Sequence, residues 1–254
     1  MLKIDLNCDV GESYYDTIIG NDREIIPLIS SCNIACGFHG GDPLTIHNAI
    51  ELALKSDVAV GAHPSFPDLE NFGRTYMAMS SEALEACLLY QIGALQSMVR
   101  AQGGKLQHVK PHGALYNAAV TDFELALSIA KTIQKIDSSL FLLGMAHSEM
   151  EKAAAHVGIR FAAEAFADRS YTAAGSLVSR SSANAVLKDL RMVAARTNRM
   201  IVSKEIEAEN GTVLKVDSAS ICVHGDTENA IDLIREIRSE CEKNNIQIQS
   251  FGNV

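Results

Sequence analysis

Ionisable residues directly follow several short apolar runs of the chain, and their types are those used in general acid–base catalysis. The first run ends in Asp5-Leu6-Asn7-Cys8-Asp9, whose alternation places Asp5, Asn7 and Asp9 on one face of a predicted strand. Three polar groups on a face that should pack are unfavourable unless they meet partners or a ligand. A turn-capping cluster at the end of the strand is the alternative interpretation.

The next apolar runs of the sequence are followed by histidines and a lysine. His39 lies in a glycine-rich loop, His63 follows an apolar run, and Lys110 precedes Pro111-His112. Two histidines at equivalent strand ends are expected to approach each other across the mouth of a barrel, although either alone is more often a structural residue. A lysine that points into a parallel sheet needs a carboxylate partner or a depressed pKa. The alternative is a lysine that snorkels to the surface.

The last two runs add a carboxylate, a cation and a further histidine. Glu164 and Arg169 follow one run, and His224 and Asp226 follow the other. Glu164 is the first candidate for a general base, whereas Asp226-Thr227 can also be read as the N-cap of the last helix. One rim is expected to collect carboxylates, imidazoles and cations from Asp5, Asp9, Glu12, Glu164, Asp226, His39, His63, His112, His224, Arg74, Lys110, Arg169 and Arg180. Such a set predicts acid–base hydrolysis of a small anionic substrate.

Other catalytic signatures are missing from the sequence. It contains no Ser-His-Asp order typical of a known triad and no Gly-x-Ser-x-Gly, so acyl-serine chemistry has little support. Cys8 and Cys36 stand near the predicted rim, but small buried thiols are commoner than nucleophiles. The dinucleotide and P-loop glycine patterns are also missing, so the sequence offers no recognisable phosphate-binding loop.

The elements that position these residues are predicted to be β-α units. Helical periodicity between the apolar runs indicates a parallel sheet, as in Leu84, Leu88, Ile92, Leu95 and Val99. Seven strands are predicted: Leu2 to Cys8, Cys32 to Cys36, Val58 to Ala62, Leu106 to Lys110, Leu140 to Leu143, Phe161 to Glu164 and Ser220 to His224. Their number suits a closed or nearly closed barrel, with an open doubly wound sheet as competitor. The stretch from Ile201 to Asp217 stays unassigned.

Composition limits the classes of partner. The 254 residues carry 22 basic and 31 acidic side chains, a formal net charge of −9, which makes nucleic acid and anionic membrane surfaces unlikely ligands. We expect no membrane span, no export signal and a cytoplasmic location, because no long apolar run occurs and six scattered cysteines lack a Cys-x-x-Cys pair. Without a linker-like segment, one domain over residues 1–254 is the default.

Several of these stretches resemble the LamB/YcsF family along the whole chain. The motifs that carry the resemblance are Ile4–Glu12, Asn33–Pro43, Gly61–Pro64, Phe72–Arg74, Tyr90–Leu95, Val109–Asn117, Glu164–Arg169 and Cys222–Asp226. The resemblance implies a single-domain, distorted TIM-like (β/α)7-8 barrel of the glycoside hydrolase/deacetylase type. It also implies the role of the A component in an ATP-dependent 5-oxoprolinase, which opens 5-oxo-L-proline to L-glutamate together with B and C subunits.

On this basis we hypothesise which subunit carries out which part of the reaction. The partner subunits would handle ATP, the co-substrate, and this barrel would add water at the lactam carbonyl. We assign catalysis to Asp9, His63, Lys110, His112 and Glu164, and substrate binding to Asp5, Asn7, Glu12, His39, Arg74, Arg169, His224 and Asp226. Association with further copies of the chain stays open.

Two other functions are kept as alternatives. Distant deacetylase-type relatives bind a divalent metal through Asp and His at strand ends, and Asp9, His39 and His63 can imitate that arrangement. The chain would then hydrolyse an amide or N-acetyl group without ATP. In the other alternative, it binds a lactam without turning it over.

Overall fold

A closed barrel of seven parallel strands, with helices packed around it, forms the molecule. The computed structural model describes residues 1–180, 182–227 and 229–253. The strands are β1 Leu2–Val10, β2 Ser31–Ala35, β3 Ala59–His63, β4 Leu106–Val109, β5 Phe141–Met145, β6 Arg160–Phe166, β7 Glu205–Glu207, β8 Val213–Lys215, β9 Ser220–Val223 and β10 Ile246–Ile248. The barrel runs β1-β2-β3-β4-β5-β6-β9 and closes through β9 and β1. The predicted TIM-like barrel is therefore confirmed.

Seven strands close the barrel, which is the lower of the two predicted numbers. All seven predicted strands are present in the barrel, with ends that differ by a few residues. An eighth, β10, pairs in parallel only with Leu2–Ile4 at the start of β1. The unassigned stretch holds the end of a helix and then an antiparallel hairpin, β7-β8, outside the barrel.

The helices cover the outside of the barrel with apolar stripes. They are α1 Asp22–Ile25, α2 Pro43–Lys55, α3 Ser81–Ala101, α4 Gly113–Ala119, α5 Phe123–Ile136, α6 Glu149–Val157, α7 Leu190–Val202 and α8 Ala230–Lys243, with short 3-10 turns at Ile26–Leu28 and Phe251–Asn253. Every residue of the predicted stripe in α3 is buried. The side chains of Asp42, Ser80 and Asp122 cap α2, α3 and α5 by accepting hydrogen bonds from backbone N–H groups.

One cap prediction is wrong. The last helix, α8, begins at Ala230 with Asn229 at its N-cap position. Asp226 lies before that position, and its carboxylate pairs with Arg74 instead. The polar end of β9 is therefore part of the barrel mouth and does not start the helix. None of the helices in the described ranges combines the length and the apolar character needed to cross a membrane.

Space inside the barrel is limited, and Gly61 of β3 shows this most clearly. A Cβ at Gly61 would collide with the ring of His108 from the neighbouring strand. That ring is fully buried and its Nε2 lies 2.7 Å from Oδ1 of Asn33. A glycine at this position therefore lets a polar side chain fill the barrel interior.

We expect Gly61→Ala to lower the free energy of unfolding by about 1–3 kcal/mol, because the His108 ring must move away from Asn33. Gly93→Ala is the matched control, since no atom apart from its chain neighbours and the adjacent helix backbone lies within 4 Å of its added Cβ in the middle of α3. There the substitution should stabilise the protein by up to about 1 kcal/mol through helix propensity. Urea unfolding of both variants measures the contrast, and equal effects would contradict it.

Candidate active site

A buried hydrogen-bonded column runs through the barrel from β1. Asp5 accepts hydrogen bonds from Ser30 Oγ at 2.7 Å, from Ser31 Oγ at 2.8 Å and from Ser220. Asn7 donates to Ser220 Oγ at 2.7 Å and to Glu164 Oε2 at 3.3 Å. The alternation of β1 therefore turns Asp5, Asn7 and Asp9 towards the barrel interior, as their spacing predicts. Each of these β1 side chains meets a polar partner.

Lys110 forms ion pairs with carboxylates from two different strands of the barrel. Its Nζ lies 3.3 Å from Asp9 Oδ1 of β1 and 3.1 Å from Glu164 Oε2 of β6, and the residue is 2% exposed. Burial opposes the positive charge, but the neighbouring anionic groups outweigh it and hold the pKa of Lys110 well above its usual value. Burial likewise opposes the charge on Asp9, but His63 and Lys110 hold the pKa of that carboxyl well below its usual value. Both groups are therefore ionised at neutral pH.

The side chains of His63 and His112 form a hydrogen-bonded chain between two backbone carbonyl groups. His63 Nδ1 lies 2.7 Å from the backbone oxygen of Lys110, and His112 Nε2 lies 2.8 Å from the backbone oxygen of Phe72. Carbonyl oxygens only accept, so both of these nitrogens carry protons. The two remaining nitrogens, His63 Nε2 and His112 Nδ1, face each other at 2.9 Å. Two lone pairs at that distance repel, so the pair needs a cation, either a proton between the rings or a metal ion that both nitrogens would ligate.

The surroundings of this gap suit either cation. Asp9 Oδ2 lies 3.4 Å from His63 Nε2 and supplies a compensating negative charge. Glu12 Oε1 lies 3.2 Å from His39 Nε2 and 3.8 Å from His112 Nδ1. Burial, followed by the charge of Asp9, raises the pKa of Glu12 well above its usual value. Without a bound cation, Glu12 therefore keeps its proton more readily than an ordinary glutamate, which makes it a candidate proton donor.

Glu12, His39, His63 and His112 form a potential metal site. One ligand atom from each of these buried residues lies within 4.8 Å of the others. Burial lowers the pKa of His39 and of His112 well below the usual value, which leaves neutral rings with free lone pairs. His39 Nδ1 is buried and has no partner among the described residues. Three imidazoles and a carboxylate are a ligand set that Zn²⁺ accepts.

The mouth of the barrel is a cationic cavity. It has a volume of about 480 Å³. Its charged lining residues in the described part of the chain are Asp9, Glu12, Arg74, Lys110, Arg169, Arg180 and Asp226. Asp226 Oδ2 lies 2.7 Å from Arg74 and 3.9 Å from Arg180, so two guanidinium groups approach one carboxylate. Four cationic side chains face three carboxyl groups in this lining, and the cavity therefore favours an anionic ligand.

The structure brings nearly all of the predicted site residues together. Asp9, Glu12, His63, Arg74, Lys110, His112, Arg169, His224 and Asp226 line the cavity. Glu164, Asn7 and His39 lie behind this lining and contact Lys110, Glu164 and Glu12 respectively. Asp5 is different, because it lines a separate cavity of about 350 Å³ with residues that include Lys3 and Phe141. It therefore lies away from the mouth.

Two of the predicted ligand-binding side chains also hold their own loops. Arg169 donates to the backbone oxygens of Val178 and Ala185 at 2.7 and 3.1 Å, which ties down the chain that follows β6. His224 Nδ1 lies 2.9 Å from Asp168 Oδ1. Asp168 was missed by the sequence reasoning, although it continues the alternation Glu164, Phe166, Asp168. Tyr116, which follows His112 by one turn of α4, was also missed and lines the cavity.

The cysteines near the site are buried thiols, as the sequence predicts. Burial raises the pKa of Cys36 to about 12 and that of Cys8 well above its usual value. Thiolates are the nucleophilic form, so neither residue is set up for covalent catalysis.

The comparisons with known proteins cover the whole barrel. The model of the LamB/YcsF family matches residues 4–254. A protein from Alkaliphilus metalliredigens, named as the A component of 5-oxoprolinase, is 44% identical over 99% of this chain and 98% of its own length. One of the same name from Bacillus mycoides is 47% identical, with 98% of both chains covered. The solved structure of a lactam utilization protein from Thermus thermophilus superposes with a TM-score of 0.93 at 43% identity, over 98% of this chain and 100% of the other.

The buried carboxyl of Asp5 predicts a pH-dependent stability. Burial raises its pKa from 3.8 to about 6, despite the hydrogen bonds from Ser220, Ser30 and Ser31. The folded state therefore binds more protons than the unfolded state between these two values, and the free energy of unfolding falls as pH rises from about 4 to 6. The shift corresponds to a loss of about 3 kcal/mol.

We expect the Asp5→Asn variant to lack this component, so wild type loses about 3 kcal/mol relative to it between pH 4 and 7. Urea unfolding at several pH values measures the difference. Asp232→Asn, at an exposed position of α8, is the control whose profile should parallel wild type. Parallel curves for wild type and Asp5→Asn would contradict the prediction.

Proposed function

The chain belongs to the LamB/YcsF family, and from this we propose that it works as the A component of a 5-oxoprolinase, a hydrolase that opens a cyclic amide. The observation that carries the proposal is the cationic cavity whose inner end collects an ionised carboxylate, a buried ammonium group and a cation-holding pair of imidazoles. 5-Oxo-L-proline is a small anion with one amide bond, and this cavity suits its charge and size.

Asp9 is the best-placed base in the proposed reaction. It lines the cavity, it is ionised, and its two oxygens are oriented by Lys110 and His63. Glu164 is less suitable as a base because its Oε2 is held by Lys110 and Asn7 behind the lining. Asp9 would orient and deprotonate water for addition to the lactam carbonyl.

The same reaction needs a proton for the departing ring nitrogen. The His63–His112 pair holds a proton when no metal ion is bound, and Glu12, whose pKa burial raises well above its usual value, lies 3.8 Å from His112 Nδ1. Either group would supply the proton as the C–N bond breaks. Arg74 and Arg180 at the mouth would hold the substrate carboxylate, because they share one carboxylate partner, Asp226.

ATP and the partner subunits complete the proposal. A five-membered lactam carries little strain, so its hydrolysis near neutral pH gains from coupling to ATP. We infer that the B and C subunits handle the nucleotide, because the sequence of this chain contains no recognised phosphate-binding loop. We place the reaction in the cytoplasm, where ATP is supplied.

The central test is glutamate formation by the chain mixed with both partner subunits, ATP and 5-oxoproline. We expect Asp9→Asn to lower kcat by about 10²–10⁴-fold, because it removes the proposed base with little change of volume. Lys110→Met should also lower activity, but it leaves two buried carboxylates unpaired and should lower Tm as well.

Controls separate the outcomes of this test. Tyr90→Phe, at an exposed position of α3, should keep wild-type activity. Wild-type turnover by Asp9→Asn would remove Asp9 from the mechanism. If the wild-type mixture binds 5-oxoproline but forms no glutamate, the chain is a lactam-binding component instead.

A second candidate function is metal-assisted hydrolysis of an amide without ATP. It is favoured by the cluster of Glu12, His39, His63 and His112 and by the facing lone pairs of the two imidazoles. These four residues would hold the ion, and a bound divalent cation would polarise a substrate carbonyl. The unpartnered His39 Nδ1 and the neutral rings agree with such a ligand set.

We expect Zn²⁺ at 100 times its Kd to raise the Tm of the wild-type chain by about 5–10 °C, because the ion binds only the folded state. His112→Asn should abolish the shift, whereas His47→Asn, at an exposed position of α2, should keep it. Thermal unfolding with and without metal measures this. An unchanged wild-type Tm means that a proton bridges the imidazoles, and the metal-dependent candidate is then dropped.

A further inference from the structure

An aspartate and a histidine form a hydrogen-bonded pair at the mouth of the barrel, apart from the groups assigned to the proposed reaction. His224 Nδ1 lies 2.9 and 3.0 Å from the two carboxylate oxygens of Asp168, which is 1% exposed. Burial opposes the charge on Asp168, but His224 holds the pKa of that carboxyl below its usual value. The carboxylate is therefore ionised and only accepts, so Nδ1 of His224 carries a proton.

The second nitrogen of His224 is open to the cavity. Asp168 covers Nδ1, and the Phe166 ring stacks on one face of the imidazole with 5.5 Å between the ring centroids. Nothing in the described part of the chain hydrogen-bonds to Nε2, and this nitrogen is not buried, although the side chain is only 11% exposed. His224 lines the mouth cavity, so a ligand bound there can reach Nε2. A carboxylate at Nδ1 favours the charged ring, in which Nε2 is a donor.

Asp9 lies between this histidine and the paired imidazoles along the rim of the barrel. Strands β1 and β9 run in parallel register, and one further step along that register places Asp9 beside His224. On the other side of β1, His63 Nε2 lies 3.4 Å from Asp9 Oδ2, across β2. The proposed base therefore has a donor on each side, His224 towards β9 and the His63–His112 pair towards β3.

This order matches the three reacting atoms of a lactam. The carbonyl carbon is bonded to the oxygen on one side and to the ring nitrogen on the other. Water activated by Asp9 attacks the carbon, negative charge then develops on the oxygen, and the nitrogen needs a proton as it departs. Since the proton sources for the nitrogen lie on the side of His63, the oxygen faces His224 on the opposite side of Asp9.

We propose that Nε2–H of His224 donates to the lactam oxygen and that Asp168 is the positioning residue that keeps this imidazole charged and oriented. The proposal rests on the proposed function and adds a catalytic residue to it. Asp9 takes a proton from water, the water oxygen bonds to the carbonyl carbon, and the C=O π pair moves onto the oxygen, where the hydrogen bond from His224 stabilises it. That electron pair then returns, the C–N bond breaks, and the nitrogen takes its proton from the side of His63.

The first test uses the complex assembled with both partner subunits and ATP. His224→Asn keeps a side-chain N–H near the position of Nδ1 for Asp168 but removes Nε2, so kcat for glutamate formation should fall about 10²-fold with KM little changed. Asp168→Asn keeps the volume but removes the charge behind the ring, and it should lower kcat at least about tenfold, again without raising KM. His47→Asn, at an exposed position of α2, is the control that keeps wild-type kcat.

The second test changes the substrate oxygen instead of the protein. In 5-thioxoproline a sulfur replaces the lactam oxygen, and sulfur accepts hydrogen bonds more weakly. In calorimetry, the wild-type chain should bind this analogue about tenfold more weakly than 5-oxoproline. In His224→Asn and Asp168→Asn the ratio of the two Kd values should shrink to about twofold, because the donor is already lost or weakened. A purely structural role of either residue would leave the ratio unchanged.

The outcomes separate this proposal from the proposed function. Wild-type kcat in His224→Asn, or the same ratio of Kd values in wild type and His224→Asn, would overturn the proposal while 5-oxoprolinase activity stands. If the wild-type complex forms no glutamate but the ratio still depends on His224, the proposed function fails and the contact with the oxygen stands. If the chain binds neither ligand, both fail. Should His224→Asn not fold, the wild-type chain decides, since equal Kd values for the two ligands overturn the proposal.

Discussion

The ammonium group of Lys110 inside the barrel is the interaction on which the site depends. Its partners, Asp9 and Glu164, come from β1 and β6, which are not neighbours in the sheet. Removing one member of a buried ion pair typically costs about 3–5 kcal/mol, because the other charge is left without compensation. The ion pairs therefore hold the two carboxylates at fixed positions, and the amides of Asn7 and Asn33 add further contacts to their oxygens.

The size of the barrel makes this arrangement possible. A barrel of about eight strands is just wide enough for side chains to fill, so side chains from strands across the barrel contact each other. In this chain seven strands close the barrel, and His108 fits only because Gly61 has no side chain. Polar residues that fill such a narrow space must satisfy one another, which explains why the column from Asp5 to Lys110 is nearly continuous.

Much of this arrangement could be predicted from the sequence. Alternation along β1 shows which residues point inwards, and the polar ends of the strands identify Asp9, His63, Lys110 and Glu164. Depth along the barrel is harder to predict. A nine-residue strand spans about 30 Å, so Asp5 and Asp9 share a face and yet lie in different cavities. The interpretation of Asp226 as an N-cap was wrong, because the local sequence does not show whether an aspartate caps a helix or pairs with a distant arginine.

The contacts that determine protonation could not be predicted, because they join distant segments. The need for a cation at the His63–His112 pair follows from two backbone carbonyls, those of Lys110 and Phe72, that fix both rings. A sequence shows neither carbonyl direction nor ring orientation. The same holds for Tyr116, whose hydroxyl lies beside the Glu164 carboxyl of β6. Contacts between such distant residues are visible only in three dimensions.

Local charge, and not the charge of the whole chain, decides which ligand the mouth accepts. The chain carries a net charge of −9, which alone would disfavour an anionic substrate. At physiological ionic strength the Debye length is about 8 Å, so charges on the far surface are screened at the cavity. Arg74, Arg180 and Lys110 line the cavity and would lie close to a bound anion. An acidic protein can therefore present a cationic site, and the burial of Lys110 strengthens this contrast, since partly buried charges are screened least.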